Sequence, residues 1–425
     1  MTMKSESKRA KRTFVPEFPS AKIISQFGSI AGLNAISVGS AVFQFEQALR
    51  TRRIRKLIVP IYGLSGAHYD LVSLSRLLHE LIVFTLVEDI DIEFRVVPWE
   101  GGEQLDLPGV NHAENVCLFS GGVDSYAGLL LSQEALGEVE GVFCAHTDQA
   151  RIIHIVADLQ RRIMGPRGLR ISKISVPGIG ARGYAQLRGF LYLLSAGAYA
   201  DKLSARRVVV TECGPTMYQP RFSPLDSTTM TTHPFVVKKA KEVVSLLLKR
   251  DVSVITPFEN LTKAEVVAIC PSKEGLKYTH SCISQRFGTH DGTCYGCVIR
   301  RLATIAAGVE DVRYNKNPIS DPNARAGNLY SLLSFCSEIL TQYNRMEECE
   351  TGVIEAYHKK NLFRRFALDN FAAILRLLSE NKRVVRPIRE MYNTVVKQLG
   401  SGTLEGRLAE LANPSVEPKF SKAVV

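Results

Sequence analysis

Six consecutive residues, Ser120-Gly121-Gly122-Val123-Asp124-Ser125, have the types and spacing to act on a phosphate. They follow an apolar run, NVCLF, and lead into a helix-patterned run, DSYAGLLLSQEALG. Glycine lets a chain turn tightly and approach a ligand with no Cβ in the way. Successive N–H groups in such a turn form an anion nest, and a helix starting near Asp124 adds its positive end. The Ser120 and Ser125 hydroxyls can donate to phosphate oxygens. Asp124 offers a hard carboxylate suited to Mg2+ on a triphosphate. No Gly-Lys-Ser/Thr follows, so the turn is neither a Walker A loop nor a GxGxxG dinucleotide loop. A tight turn capped by Asp124 or Ser125 would need no ligand. The strand-to-helix setting favours the phosphate reading.

A second cluster lies in HSCISQRFGTHDGTCYGCVIRR, residues 280–301. Cys294-x-x-Cys297, with Cys282 upstream, has the character of a zinc site. The fourth ligand is open between Asp291, His290 and none. The zinc expected here is structural. The other six cysteines, Cys117, Cys144, Cys213, Cys270, Cys336 and Cys349, are scattered and read as small buried hydrophobes. Nine cysteines is an odd number, and the opening MTMKSESKRAKRTF has no signal-peptide core. Both features speak against a disulfide framework and for a cytoplasmic, reducing compartment.

The elements that must position these groups follow from the pattern. Residues 1–18 read as a disordered basic tail. Residues 19–112 read as an N-terminal α/β region, with strands at 56–63 and 90–98 and a helix over 69–86. The Gly- and Pro-containing stretch near 99–113 marks a boundary. Residues 113–312 alternate strand and helix, which predicts a doubly wound parallel sheet of five strands with its ligand site beyond the C-terminal strand ends. Residues 313–425 read as mostly helical. In LFRRFALDNFAAILRLL, the residues Phe363, Phe366, Phe371, Ile374, Leu375 and Leu378 form an apolar stripe, with Arg364, Arg365 and Asp369 opposite.

Hydrophobic residues make up 45% of the chain and charged residues 22%, as in an ordinary folded protein. No apolar run is long enough to span a bilayer, so no membrane partner is expected. The formal net charge of +11 suits anionic partners without choosing among nucleotides, nucleic acid and an acidic protein face. No basic stretch interleaved with aromatics marks a nucleic-acid groove, so nucleic acid stays open as a partner.

Ser-Gly-Gly-x-Asp-Ser resembles the signature of the PP-loop, or N-type, ATP pyrophosphatases. That resemblance implies cleavage of ATP between its α and β phosphates, adenylation of a substrate oxygen, release of pyrophosphate and displacement of AMP. It implies ATP and Mg2+ at Ser120, Gly121, Gly122, Asp124 and Ser125, in an adenine nucleotide α-hydrolase-like sheet. Asp291-Gly292-Thr293-Cys294-Tyr295-Gly296-Cys297-Val298-Ile299-Arg300 is similar to the zinc motif of the QueC family, with Asp291 where that family has a cysteine. VITPFENLTKAEVV resembles a further QueC segment and implies Lys263 at the phosphates; a solvated lysine at a helix start is the plainer reading. LRGFLYLLSAGAYA resembles the QueC helix that begins Arg-Asn, so Arg188 joins the binding set while Gly189 replaces Asn.

The loops that hold the base in QueC differ here. HTDQARIIH retains Gln149, and TECGPTMYQPRF offers Glu212, Tyr218 and Arg221 at other spacings. The chain is also longer than QueC at both ends. In this it resembles the QueC-like proteins of bacterial anti-phage defence operons. That resemblance implies a deazaguanine-type carboxylate, 7-carboxy-7-deazaguanine, as the acid activated. It implies ammonia or a protein amine, from an acceptor encoded in the same operon, as its nucleophile. Two other readings remain: a tRNA-modifying thiolase or lysidine-type ligase, with Cys213 as the reactive thiol, and a non-catalytic nucleotide-binding subunit of a defence complex.

Overall fold

The computed structural model describes residues 13–17, 29–51, 53–63, 69–98, 113–145, 150–176, 185–218, 230–283, 289–342 and 359–420. The boundary stretch 99–112, most of the expected tail, Gln149, Arg221 and Cys349 lie outside the described residues.

The N-terminal region is a small parallel sheet. Its strands are β1 (Thr13–Phe14), β2 (Lys56–Gly63) and β3 (Asp91–Pro98), side by side in that order. Helices α1 (Ile30–Leu49) and α2 (Leu71–Leu86) connect them. β1 falls within the stretch expected to be tail: Thr13 and Phe14 pair with Lys56 and Leu57, and the Phe14 ring lies 6.2 Å from that of Phe45. Helix α1 has no legible polar face because it is buried from Gly32 to Glu46. Two of its polar side chains, Asn34 and Ser37, bond to β2 instead. Asn34 Nδ2 donates to the Tyr62 carbonyl at 2.9 Å, and Asn34 Oδ1 accepts the Tyr62 N–H at 2.7 Å.

The second sheet has five parallel strands: β4 (Asn115–Leu118), β5 (Val139–Ala145), β6 (Arg170–Ser175), β7 (Arg207–Val209) and β8 (Ser253–Ile255). Their spatial order is β6-β5-β4-β7-β8. The chain begins at the centre, runs outward through β5 and β6, then returns to the other side of β4. The reversal falls between β4 and β7, where ligand crevices open in such sheets. Side chains alternate between two cores with the period of a strand. Cys117, Phe119, Phe143 and Val209 enter one core; Val116, Val142, Cys144 and Val208 enter the other.

The first core is closed by α3 (Val123–Leu136), α4 (Ala150–Leu159), α8 (Lys263–Ile269) and α9 (Tyr295–Ala307), and by helices of the C-terminal region. The second is closed by α5 (Arg188–Lys202) and α7 (Pro234–Leu248), against which α1 packs. A short helix, α6 (Gly214–Tyr218), follows β7. The C-terminal region is helical: α10 (Gly327–Gln342), α11 (Lys360–Ser379), α12 (Arg386–Leu399) and α13 (Ser401–Ala412).

In α11 the residues Phe363, Phe366, Phe371 and Ile374 are buried, as their spacing predicts. The expected polar face needs correction. Asp369 is buried at 3% exposure, because Arg407 and Thr262 both bond to it. Arg365 reaches Glu265, and Arg364 alone of the three is exposed. No helix among the described residues is long and apolar enough to cross a membrane.

Candidate active site and metal centre

The SGGVDS turn sits at the C-terminal end of the central strand β4. Gly121 has φ +80°, a left-handed conformation that side chains strain to adopt. Gly122 is the N-cap of α3 and makes no side-chain cap bond. The plain reading, in which Asp124 or Ser125 merely caps the helix, therefore fails. Ser125 Oγ instead knits the turn: it accepts the Ser120 N–H at 3.2 Å, donates to the Gly122 carbonyl at 3.1 Å and lies 3.1 Å from Ser120 Oγ. Ser120 Oγ also accepts the Gly122 N–H at 3.3 Å.

Asp124 points across the sheet reversal. Its Oδ2 accepts from Lys263 Nζ at 2.8 Å and from the Cys213 N–H at 3.2 Å. Its Oδ1 is buried and has no hydrogen-bond partner among the described residues. A buried carboxylate oxygen left unpaired is costly unless something binds it. Lys263 is the first residue of α8, which follows β8; the plainer reading of a solvated lysine does not hold. Burial opposes its charge, but Asp124 and Glu212 outweigh burial and hold its pKa above the ordinary lysine value.

Glu212, just past β7, reads in the sequence as a residue of an altered base-binding loop, and the structure sets it beside the phosphate turn's Asp124 and Lys263. Burial pushes its carboxyl up to about 7, and the charge of Asp124 adds to the shift. Lys263 and Arg188 pull the other way. Arg188 begins α5 and so belongs to the same electrostatic group. Beside it, a Cβ on Gly189 would meet the Thr231 carbonyl oxygen at 1.7 Å. The backbone of residue 231 fills the place where an asparagine side chain would sit.

Cys213 is fully buried, its Sγ lies 3.2 Å from Thr216 Oγ1, and burial together with Asp124 raises its pKa. Reactive cysteines show the opposite: partial exposure and a stabilised thiolate.

The structure gathers Cys282, Asp291, Cys294 and Cys297, whose ligand atoms all lie within 4.8 Å of one another. Cys282 Sγ and Cys294 Sγ are 3.9 Å apart. Tetrahedral zinc with bonds of about 2.3 Å puts its sulfurs roughly 3.8 Å apart, so the donor set fits Zn2+. Asp291 holds the turn as well, with Oδ1 accepting the N–H groups of Thr293 at 2.7 Å and Cys294 at 2.9 Å. His290 is outside this group. Its ring faces His280 and Tyr314, and its Nε2 accepts the Ser281 N–H at 3.4 Å. Of the two candidate side chains for the fourth position, Asp291 is the one that the fold brings to the three cysteines.

This centre braces the phosphate turn. Arg300, wholly buried in α9, donates to the carbonyls of Thr279 at 2.9 Å and Leu276 at 2.7 Å and pairs with Asp311 at 2.8 Å. The next residue, His280, donates its N–H to the Gly121 carbonyl at 2.8 Å, and its Nε2 lies 2.8 Å from the Cys282 carbonyl.

A phosphate-type turn at the reversal of a parallel α/β sheet, with Lys263 paired to its Asp124 and Glu212 in the same electrostatic group, has the build of a nucleotide-handling site. A family model described as queuosine biosynthesis protein QueC matches residues 177–308. The matched segment holds Arg188, Glu212, Lys263 and the whole cysteine cluster, and the fold joins it to the SGGVDS turn that precedes it. The match supports a QueC-like PP-loop ATP pyrophosphatase, an enzyme type that takes ATP with Mg2+. No curated protein matches the chain.

Proposed function

We infer that the protein is an ATP-dependent ligase that adenylates a carboxylate and joins it to an amine. The observation that carries this reading is the meeting of Asp124 and Lys263 at the mouth of the SGGVDS turn. ATP is the substrate whose β and γ phosphates the turn would receive. A carboxylate oxygen attacks the α-phosphorus, the bond to the bridging oxygen breaks, and pyrophosphate leaves. An amine then attacks the acyl carbon, loses a proton, and displaces AMP to give an amide.

Groups of this site serve these steps. The N–H groups of the first turn of α3 and the helix's positive end are suited to the leaving pyrophosphate, whereas those of Ser120 and Gly122 already bond to Ser125 Oγ and Ser120 Oγ. Lys263 is kept charged and adds a fixed cation beside Asp124. Mg2+ fits at Asp124, whose Oδ1 accepts no hydrogen bond from a donor among the described residues and whose carboxylate acts on that of Glu212. It would neutralise phosphate charge there. An ionised carboxylate needs no general base to attack.

The proposed acid is 7-carboxy-7-deazaguanine or a close relative, and the proposed amine is ammonia or a protein amine. The altered base-binding loops and the added N- and C-terminal regions support an anti-phage defence role of the QatC kind, in the cytoplasm, with an acceptor protein encoded alongside. The setting of Cys213 gives the thiolase alternative no support.

The test is mass spectrometry of reactions containing the protein, Mg2+·ATP, 7-carboxy-7-deazaguanine and either ammonium or candidate acceptor proteins. AMP, pyrophosphate and an amide product are expected in equal amounts. ATP binding with no AMP from any combination would instead favour a non-catalytic nucleotide-binding subunit.

A further inference from the structure

Helix α8 has seven residues, too few to be stable alone. It is nonetheless fixed at its start. Thr262 and Glu265 form a reciprocal capping box: Glu265 Oε2 accepts the Thr262 N–H at 2.8 Å, and Thr262 Oγ1 accepts the Glu265 N–H at 3.2 Å. Both side chains are also held from the C-terminal region. Thr262 Oγ1 donates to Asp369 Oδ2 of α11. Glu265 Oε1 accepts from Arg407 Nη2 of α13, and from Arg365 Nε of α11 at 2.8 Å. Arg407 Nε closes the ring on Asp369 Oδ1 at 2.7 Å.

Glu265, Asp369 and Arg407 are 1%, 3% and 4% exposed. Charges removed from water this completely tolerate no missing partner. The cluster therefore acts as one unit and fixes the first turn of α8 relative to α11 and α13. Lys263 is a residue of that turn, between Thr262 and Glu265.

We propose that α11 and α13 are a positioning device for the nucleotide site, in which Arg407, through Glu265 and Thr262, aims Lys263 at Asp124. The proposal rests on the reading of Lys263 as a pyrophosphate-binding group. Arg365, Asp369 and Arg407 all lie beyond residue 308, where the QueC match ends, so the device belongs to the part of the chain outside that match. Arg407 is a positioning residue and touches none of the reacting groups.

Two readouts test it in the 425-residue chain: acetylation of Lys263 by an amine-specific reagent, scaled to the exposed Lys382, and the kinetics of AMP release. Arg407→Lys keeps the charge and loses the forked pairing. Lys263 acetylation is expected to rise about fivefold or more as the turn loosens. The kcat for AMP release is expected to fall about tenfold, with the KM for ATP within roughly threefold, because the lost contact serves the departing pyrophosphate. Glu410→Gln, which removes an exposed partner of Arg407, is expected to match wild type in both readouts. Should Arg407→Lys fail to fold by circular dichroism, the charge-balanced pair Asp369→Asn with Arg407→Gln, which leaves Glu265 paired with Arg365, takes its place. Unchanged Lys263 acetylation and unchanged kcat in a folded variant of either kind overturn the proposal. Wild type that releases no AMP would defeat the reaction reading instead, and the acetylation comparison would still decide the clamp.

Discussion

Lys263 Nζ lies 2.8 Å from Asp124 Oδ2, and the two residues are 139 positions apart. One opens the helix after β8 and the other sits in the turn after β4, so the pair spans the strand-order reversal. The contact places a cation over the turn that lacks a Walker lysine. It also leaves Asp124 with one paired and one unpaired oxygen. Both features suit a site that must receive a polyphosphate with its cation and then release pyrophosphate.

Lys263→Met keeps the length of the side chain and removes the charge. It leaves Asp124 buried without its ion-pair partner, a loss of about 3–5 kcal/mol when neither side is compensated. The thermal midpoint should fall, and Mg2+ should recover part of that loss by binding the freed carboxylate. AMP formation should drop by about a hundredfold, the scale seen when one charge-stabilising donor is lost. AMP formation within twofold of wild type would place Lys263 outside the reaction.

Asp124→Asn preserves shape and hydrogen bonding to the Cys213 N–H. It should abolish the Mg2+ dependence of ATP binding, measured by titration calorimetry with and without the metal. Circular dichroism should remain that of the wild type. An unchanged Mg2+ response would show that the cation is held by phosphate oxygens and other side chains.

Much of this site was legible in the residues before any coordinate was. SGGVDS, Cys282, Cys294 and Cys297 act within short segments, and spacing alone exposes them. Five parallel strands followed from alternating apolar runs. What stayed hidden depends on long-range pairing. Asp369 reads as surface because its helix has charged neighbours at 364 and 365, yet Arg407 and Thr262 neutralise it in the core. Helix α1 lacks a readable stripe because β2 of the first sheet and helices α5 and α7 of the second bury it on nearly every side. Gly189 looked like a departure from a binding motif, and the carbonyl of Thr231 explains it. The capping box at Thr262 and Glu265 was written in the sequence as Thr-x-x-Glu; its partners in α11 and α13 were not.

Glu212 makes stability depend on pH in a direction opposite to that of most carboxylates. Its pKa is raised from 4.5 to about 7, chiefly by burial. Between those values the folded protein binds one more proton than the unfolded chain, so stability falls as pH rises. The metal-free protein should therefore melt lower at about pH 8 than at about pH 5 from this group's contribution, and Glu212→Gln should flatten the trend. Mg2+·ATP selects ionised carboxylates, so its stabilising effect should grow over the same interval. A wild-type melting profile identical to that of Glu212→Gln would remove the residue from this role.

Zinc at the cysteine cluster should matter to ATP as well as to folding. Arg300 and His280 tie the cluster's surroundings to the Gly121 carbonyl, so loosening the centre should loosen the turn. One zinc per chain is expected by elemental analysis of protein purified without added metal. Asp291→Asn retains an oxygen to accept the Thr293 and Cys294 N–H groups, so the turn survives, but it removes an anionic ligand. Zinc affinity should weaken by about tenfold or more, given that even outer-shell changes have effects of that size. Asp291→Cys should hold zinc as well as wild type or better, because four thiolates make a closed structural site. ATP affinity should follow zinc occupancy across the series. Full zinc retention in Asp291→Asn would show that three cysteines and a group other than Asp291 complete the site.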